Sequence, residues 1–192
     1  VSIEPYVYAL ARTFIGSGLD IIQVLYSRED FKPEEFPKGF HGSSYEHYLS
    51  RMDGEFGAKV LRFYIESGFR FRFNVFNDFG NPPAFELQDG DMFRAFTQLP
   101  DFDYKTSLIN KQGRHLLVFL ALESENFVVM DSLVRYLSRV DPSYLKQLLV
   151  EISSSAEELN VEDSFKASAV FTLNFANEIL EQDLVQVPGG YE

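Results

Sequence analysis

Cysteine is absent from the 192-residue chain. Its absence excludes a disulfide scaffold, thiol catalysis and any Cys-based metal or redox centre. Tryptophan is absent too. No apolar run approaches the roughly 18 residues that a spanning helix needs, so no membrane role is expected. Phosphate-cradling loops are missing as well. GSGLD at residues 16–20 has neither the G-x-G-x-x-G spacing nor a Lys-Ser/Thr ending. No G-x-S-x-G elbow supports a serine nucleophile. These gaps leave no short catalytic motif, and no cofactor is expected.

Positive charge is scarce. Lys and Arg number 17 against 29 Asp and Glu, a formal charge of −12. The imbalance is steepest in residues 129–192, which hold 4 basic and 11 acidic side chains. Such a surface repels phosphate backbones and anionic membranes at long range, so direct nucleic-acid binding is not expected. It attracts a basic protein and speeds the encounter. No basic-then-apolar start reads as a leader, which makes a cytoplasmic location the expectation.

What the chain does have is apolar and aromatic mass. Hydrophobic residues make up 45%, with 20 Phe and 10 Tyr, enough to build a real core and to leave rings outside it. The composition reads as one domain over 1–192, with 185–192 as a flexible tail.

The patterning predicts an α+β fold, mainly helical, with a small antiparallel sheet. Residues 69–76 (FRFRFNVF) alternate strictly: Phe69, Phe71, Phe73 and Val75 against Arg70, Arg72 and Asn74. After the NDFGNPP turn, residues 84–88 are a candidate return strand, which places the sheet around 69–88. Residues 106–122 read either as a hairpin about Lys111-Gln112-Gly113 or as one helix. Residues 19–26 are open between strand and helix, and residues 4–15 read as helix.

Other helices are marked by their ends. Ser43 or Ser44 caps a helix, Ser43 and Glu46 having the spacing of a capping box, and this helix is weakened at Gly54 and Gly57 before it stops at Gly68. A short helix is expected over 92–98. Residues 126–138 carry Phe127, Met130, Val134 and Leu137 at helical spacing. Asp141-Pro142 is a cap followed by proline at the first helical position. A last helix opens within 160–163.

Four groups of residues are candidates for function. The acidic run at 153–164 brings Glu157, Glu158, Glu162 and Asp163 together and can meet a basic partner; helix-end solvation is the plainer use of the same charges. Phe36 and Phe40 recur in the Pro/Gly-punctuated loop at 28–43, as an adhesive edge or as staples onto the core. Arg70 and Arg72 can contact an anion, or pair with the surplus acids. The Asp89/Asp91 and Asp101/Asp103 pairs suit turn and cap duty better than acid–base chemistry. His41 and His47 lie near Glu46 and Asp53 without metal-ligand spacing, so no metal site is expected.

The functional expectation is a non-catalytic, protein-binding or regulatory domain of the inhibitor, immunity or anti-defence kind, acting on a basic partner. A self-assembling subunit of a larger complex is the second expectation, supported by the aromatic excess and the opening Val1. An enzyme without short motifs, built around His41, His47 and Arg70, is the third.

Overall fold

Alternation between buried and exposed side chains sets where a segment packs, while a sheet also needs a partner for every ladder bond. The segment 69–76 shows the difference. In the computed structural model, which describes residues 40–52, 54–66, 68–124, 126–158 and 163–185, Phe69, Phe71 and Phe73 are buried and Arg70, Arg72 and Asn74 are exposed. The alternation is therefore real, but among the described residues no strand pairs with it. A turn at residues 73–74 breaks it, and Val75 is half-buried. The expected α+β class is corrected: among the described residues the chain is helical, with no strand or sheet.

The expected return strand fails for a local reason. Pro82 and Pro83 lack the N–H that a ladder needs and hold φ in the range of a tight helix. Pro83–Glu86 accordingly forms a short 3-10 helix instead. At 106–122 the turn does form, with the Gly113 N–H donating to the Asn110 carbonyl at 3.0 Å. Strand geometry there is limited to the single residues Ile109 and His115. The leucine-rich stretch that follows is a helix, Leu116–Glu123.

The chain folds as two compact units, Val1–Gly113 and Arg114–Glu192. In the first, a 3-10 turn at Phe40–Gly42 leads into α1 (Tyr45–Ser50), α2 (Gly54–Glu66) and α3 (Gly90–Thr97). α1 and α2 are the two pieces of the helix expected to weaken at Gly54, which sits at φ +67 where the chain turns. Asp89 caps α3 through the Met92 N–H at 2.9 Å and also accepts from the Gly54 N–H. That one carboxylate therefore starts two helices. α2 and α3 pack on each other, and Leu61, Met92, Phe93 and Phe96 lie fully buried. Phe96 meets Phe71 and Phe73 at ring-centroid distances of 4.9 and 5.8 Å.

Among its described residues the second unit holds four helices: α4 (Leu116–Glu123), α5 (Phe127–Val140), α6 (Pro142–Glu158) and α7 (Asp163–Val185). Each packs against the other three. α4 is apolar on every side, as a helix enclosed by neighbours must be. His115 caps it, its Nδ1 accepting from the Leu117 N–H at 3.1 Å. Asn126 caps α5 through Val129, and Asp141 caps α6 through Tyr144, as the Asp-Pro signal requires. Met130, Leu133, Leu137, Leu145 and Ile152 fill the middle. Among the described residues no helix is long and apolar enough to cross a membrane. The expected elements at 4–15 and 19–26 and the tail beyond Val185 lie outside the described residues.

Candidate functional site

Two places concentrate side chains whose arrangement goes beyond core packing, one in each unit. The first is a buried polar network around α1. Ser44, one of the two expected caps, caps this helix, and His47 takes the place in the capping box that Glu46 was expected to fill. The Ser44 N–H donates to His47 Nδ1 at 3.2 Å, and the Ser44 hydroxyl lies 2.9 Å from the same nitrogen. His47 Nε2 lies 3.0 Å from the Asn81 carbonyl. A carbonyl only accepts and a backbone N–H only donates, so the ring is neutral with its proton on Nε2.

The neighbouring charges are paired. Glu46, fully buried, takes the Arg72 guanidinium at 2.5 and 3.2 Å. Arg51 grips Glu86 at 3.0 and 3.2 Å and also donates to the Ser43 hydroxyl at 3.3 Å. Asn77 donates to Glu86 at 3.1 Å, while its own amide oxygen accepts from the Phe79 and Asn81 N–H groups. The loop 77–81 is thereby fastened to the start of α1. Gly42 stands at φ +67 where a Cβ would run into the Asp78 side chain, so only glycine fits this crossing. His41 beside it takes φ 54, and its ring rests 4.9 Å from the exposed ring of Phe79.

Burial holds the His47 pKa below its ordinary 6.5, against the opposing pull of the Asn81 carbonyl, Glu86 and Glu46. The unfolded chain therefore binds this proton more readily, and stability is lost as pH falls from 6.5 toward the folded-state value. The expected result is a urea midpoint that drops between pH 7.5 and 5.5 in the native protein by more than in His47→Gln. Parallel titrations of the two proteins would remove His47 as the cause.

The second place is on the helical unit, where rings face solvent that could have been buried. Phe127 of α5 and Phe171 of α7 are 42% and 50% exposed, yet they touch edge-to-face at 5.2 Å. Phe175, one turn along α7 and half-buried, lies parallel to Phe171 at 6.1 Å. Arg135 stands 5.4 Å over the Phe175 ring while its Nε donates to Asp131 at 3.0 Å. Val128 and Val170 are exposed as well. The result is a strip of apolar surface along the α5–α7 seam. Glu178 and Glu181 on α7 are exposed, and Glu178 continues the row of Phe171 and Phe175.

The expected site residues fall as follows. Glu157 is exposed near the end of α6, Glu158 is that helix's last residue, and Asp163 opens α7. Glu162 and Phe36 lie outside the described residues, and Phe40 begins the 3-10 turn. Arg70 is exposed, 3.4 Å from Asp101, whereas Arg72 turns to buried Glu46; the structure does not bring the two guanidinium groups to one anion. Asp89, Asp91, Asp101 and Asp103 serve caps, turns and surface pairs. Among the described residues no group of three His, Asp or Glu could hold a metal ion. Sequence reasoning missed the strip because Phe127 and Phe171 stand at helical spacing with core residues. No family model, curated protein or solved structure matches the chain.

Proposed function

We propose that the chain is a non-catalytic protein-binding or regulatory domain, of the inhibitor, immunity or anti-defence kind, that acts on a basic partner. The observation that carries this reading is the aromatic strip, in which exposed Phe127 and Phe171 adjoin Phe175. Aromatic rings anchor protein interfaces, because they offer large rigid area with only two χ angles to fix. The strip belongs to the more acidic unit, in which residues 114–192 carry 13 acidic and 5 basic side chains. Surplus charge of this sign speeds encounter with a basic surface, and the rings then supply the desolvated contact.

Self-assembly through the same rings is the alternative, and the formal charge of −12 works against the approach of identical copies. The test is capture from the native lysate at low and high salt, with the mass of the purified protein read by light scattering. We expect a monomer that retains a basic protein in a salt-sensitive manner, and loss of that protein from the Phe171→Ala/Phe175→Ala variant. Neutralising Glu157, Glu158, Glu162 and Asp163 together tests the acidic run as a second contact and should weaken capture at low salt. A homo-oligomer, or capture indifferent to rings and salt, would sink the reading.

A further inference from the structure

From the geometry of the strip, we infer that its occupant is a single amphipathic, cationic helix presented by the partner. The inference rests on the proposed protein-binding function and adds the form of the ligand. Three observations carry it.

The first is spacing. Phe171 and Phe175 are parallel within 2° and 6.1 Å apart. Side chains at i and i+4 of an incoming helix are separated by about 5–6 Å, so two successive apolar residues of such a helix come into register over the two rings. Same-face residues of an extended peptide stand about 6.5–7 Å apart and drift out of register.

The second is the absence of an edge to pair with. A peptide that binds by strand addition gains its affinity from main-chain bonds to an open strand edge. Among the described residues there is no strand. A helix satisfies its own backbone and asks the surface only for apolar contact and charge.

The third is the polarity of the strip. Arg135 sits at the α5 side, over Phe175 and paired with Asp131. Glu178 and Glu181 lie exposed further along α7, Glu178 one turn beyond Phe175 in the same row. With the Arg135 charge paired to Asp131, a helix with Lys or Arg beyond its apolar anchors is drawn to Glu178 and Glu181 at the C-terminal end of the strip. A second copy of this chain would bring the same acidic residues to the same place, and an anionic membrane would meet the same repulsion.

The test uses the full chain and two synthetic peptides of about 18 residues, five helical turns. One carries Leu at i and i+4 repeats with Lys on the flanks. The other is the same peptide with one central residue replaced by proline, which breaks the helix. Calorimetry should show the helical peptide binding at least about tenfold more tightly, the scale of one lost anchor. Phe171→Ala/Phe175→Ala should weaken it by a similar factor with the circular dichroism spectrum unchanged. Glu178→Lys/Glu181→Lys changes only exposed side chains, and should weaken binding and flatten its salt dependence. Equal binding of both peptides, or native affinity in both variants, overturns the inference. So does a concentration-dependent dimer, or binding to zwitterionic vesicles, that the ring variant abolishes. If the native partner needs the rings but the helical peptide does not bind, the protein-binding function stands and the helical occupant falls. If capture ignores the rings, both fall.

Discussion

Phe96→Ala is expected to cost about 3–5 kcal/mol, the range for truncating a fully buried aromatic side chain. Phe96 has no exposed surface, and its ring is the common neighbour of Phe71 and Phe73. Phe73 in turn meets Phe102 at 5.6 Å. Among the described residues no ladder of backbone bonds holds residues 69–73 in place, so side-chain burial on α3 carries the load that sheet pairing would otherwise share. Removing the ring leaves a cavity and frees the segment at once. Urea denaturation should show the midpoint falling by an amount large against a whole-protein stability of about 5–15 kcal/mol. A cost under about 1 kcal/mol would mean that these rings are held by something other than one another.

The same segment shows how far the fold was legible. The Phe/Arg alternation correctly reports which side chains are buried, because burial is a property of one chain against whatever covers it. It does not report a sheet, because a ladder is a property of two chains, and the second was removed by Pro82-Pro83. Helix ends were legible wherever a cap acts within four residues: Asp89, Asn126 and Asp141 each bond the N–H three residues on. At α1 the sequence leaves Ser43 and Ser44 open as caps, because His47, like Glu, can accept from the backbone, and Ser44-x-x-His47 prevails over Ser43-x-x-Glu46. Glu46 was thus available for Arg72, 26 positions away. Pairings at that distance leave no local trace. The aromatic strip was hidden for a related reason. Helical periodicity places Phe127 and Phe171 beside core residues, and only the packing of α5 on α7 shows that both stop at the seam with a face in water.

Arg72→Met is expected to destabilise the protein by about 3 kcal/mol, the lower end of the range for breaking a buried ion pair. The figure is set by the two partners' unequal burial. Glu46 has no exposed side-chain surface, while Arg72 keeps 46% of its own in water. Removing the guanidinium strands a carboxylate among Ser43, Ser44 and His47, which are all buried. The desolvation of that carboxylate was already incurred on folding, and nothing then offsets it. Glu46→Gln should cost less, since it leaves the exposed partner to water and the buried one without a charge. The double variant should recover part of the Arg72→Met loss, with a coupling of about 1–3 kcal/mol in a double-mutant cycle. This cycle also separates the two uses of Arg72. A guanidinium kept for a bound anion would be removed at little cost to folding, with additive effects of the two substitutions. A guanidinium that fastens 69–73 to α1 gives the loss and the coupling described, and leaves Arg70, exposed beside Asp101, as the more accessible cation of the pair.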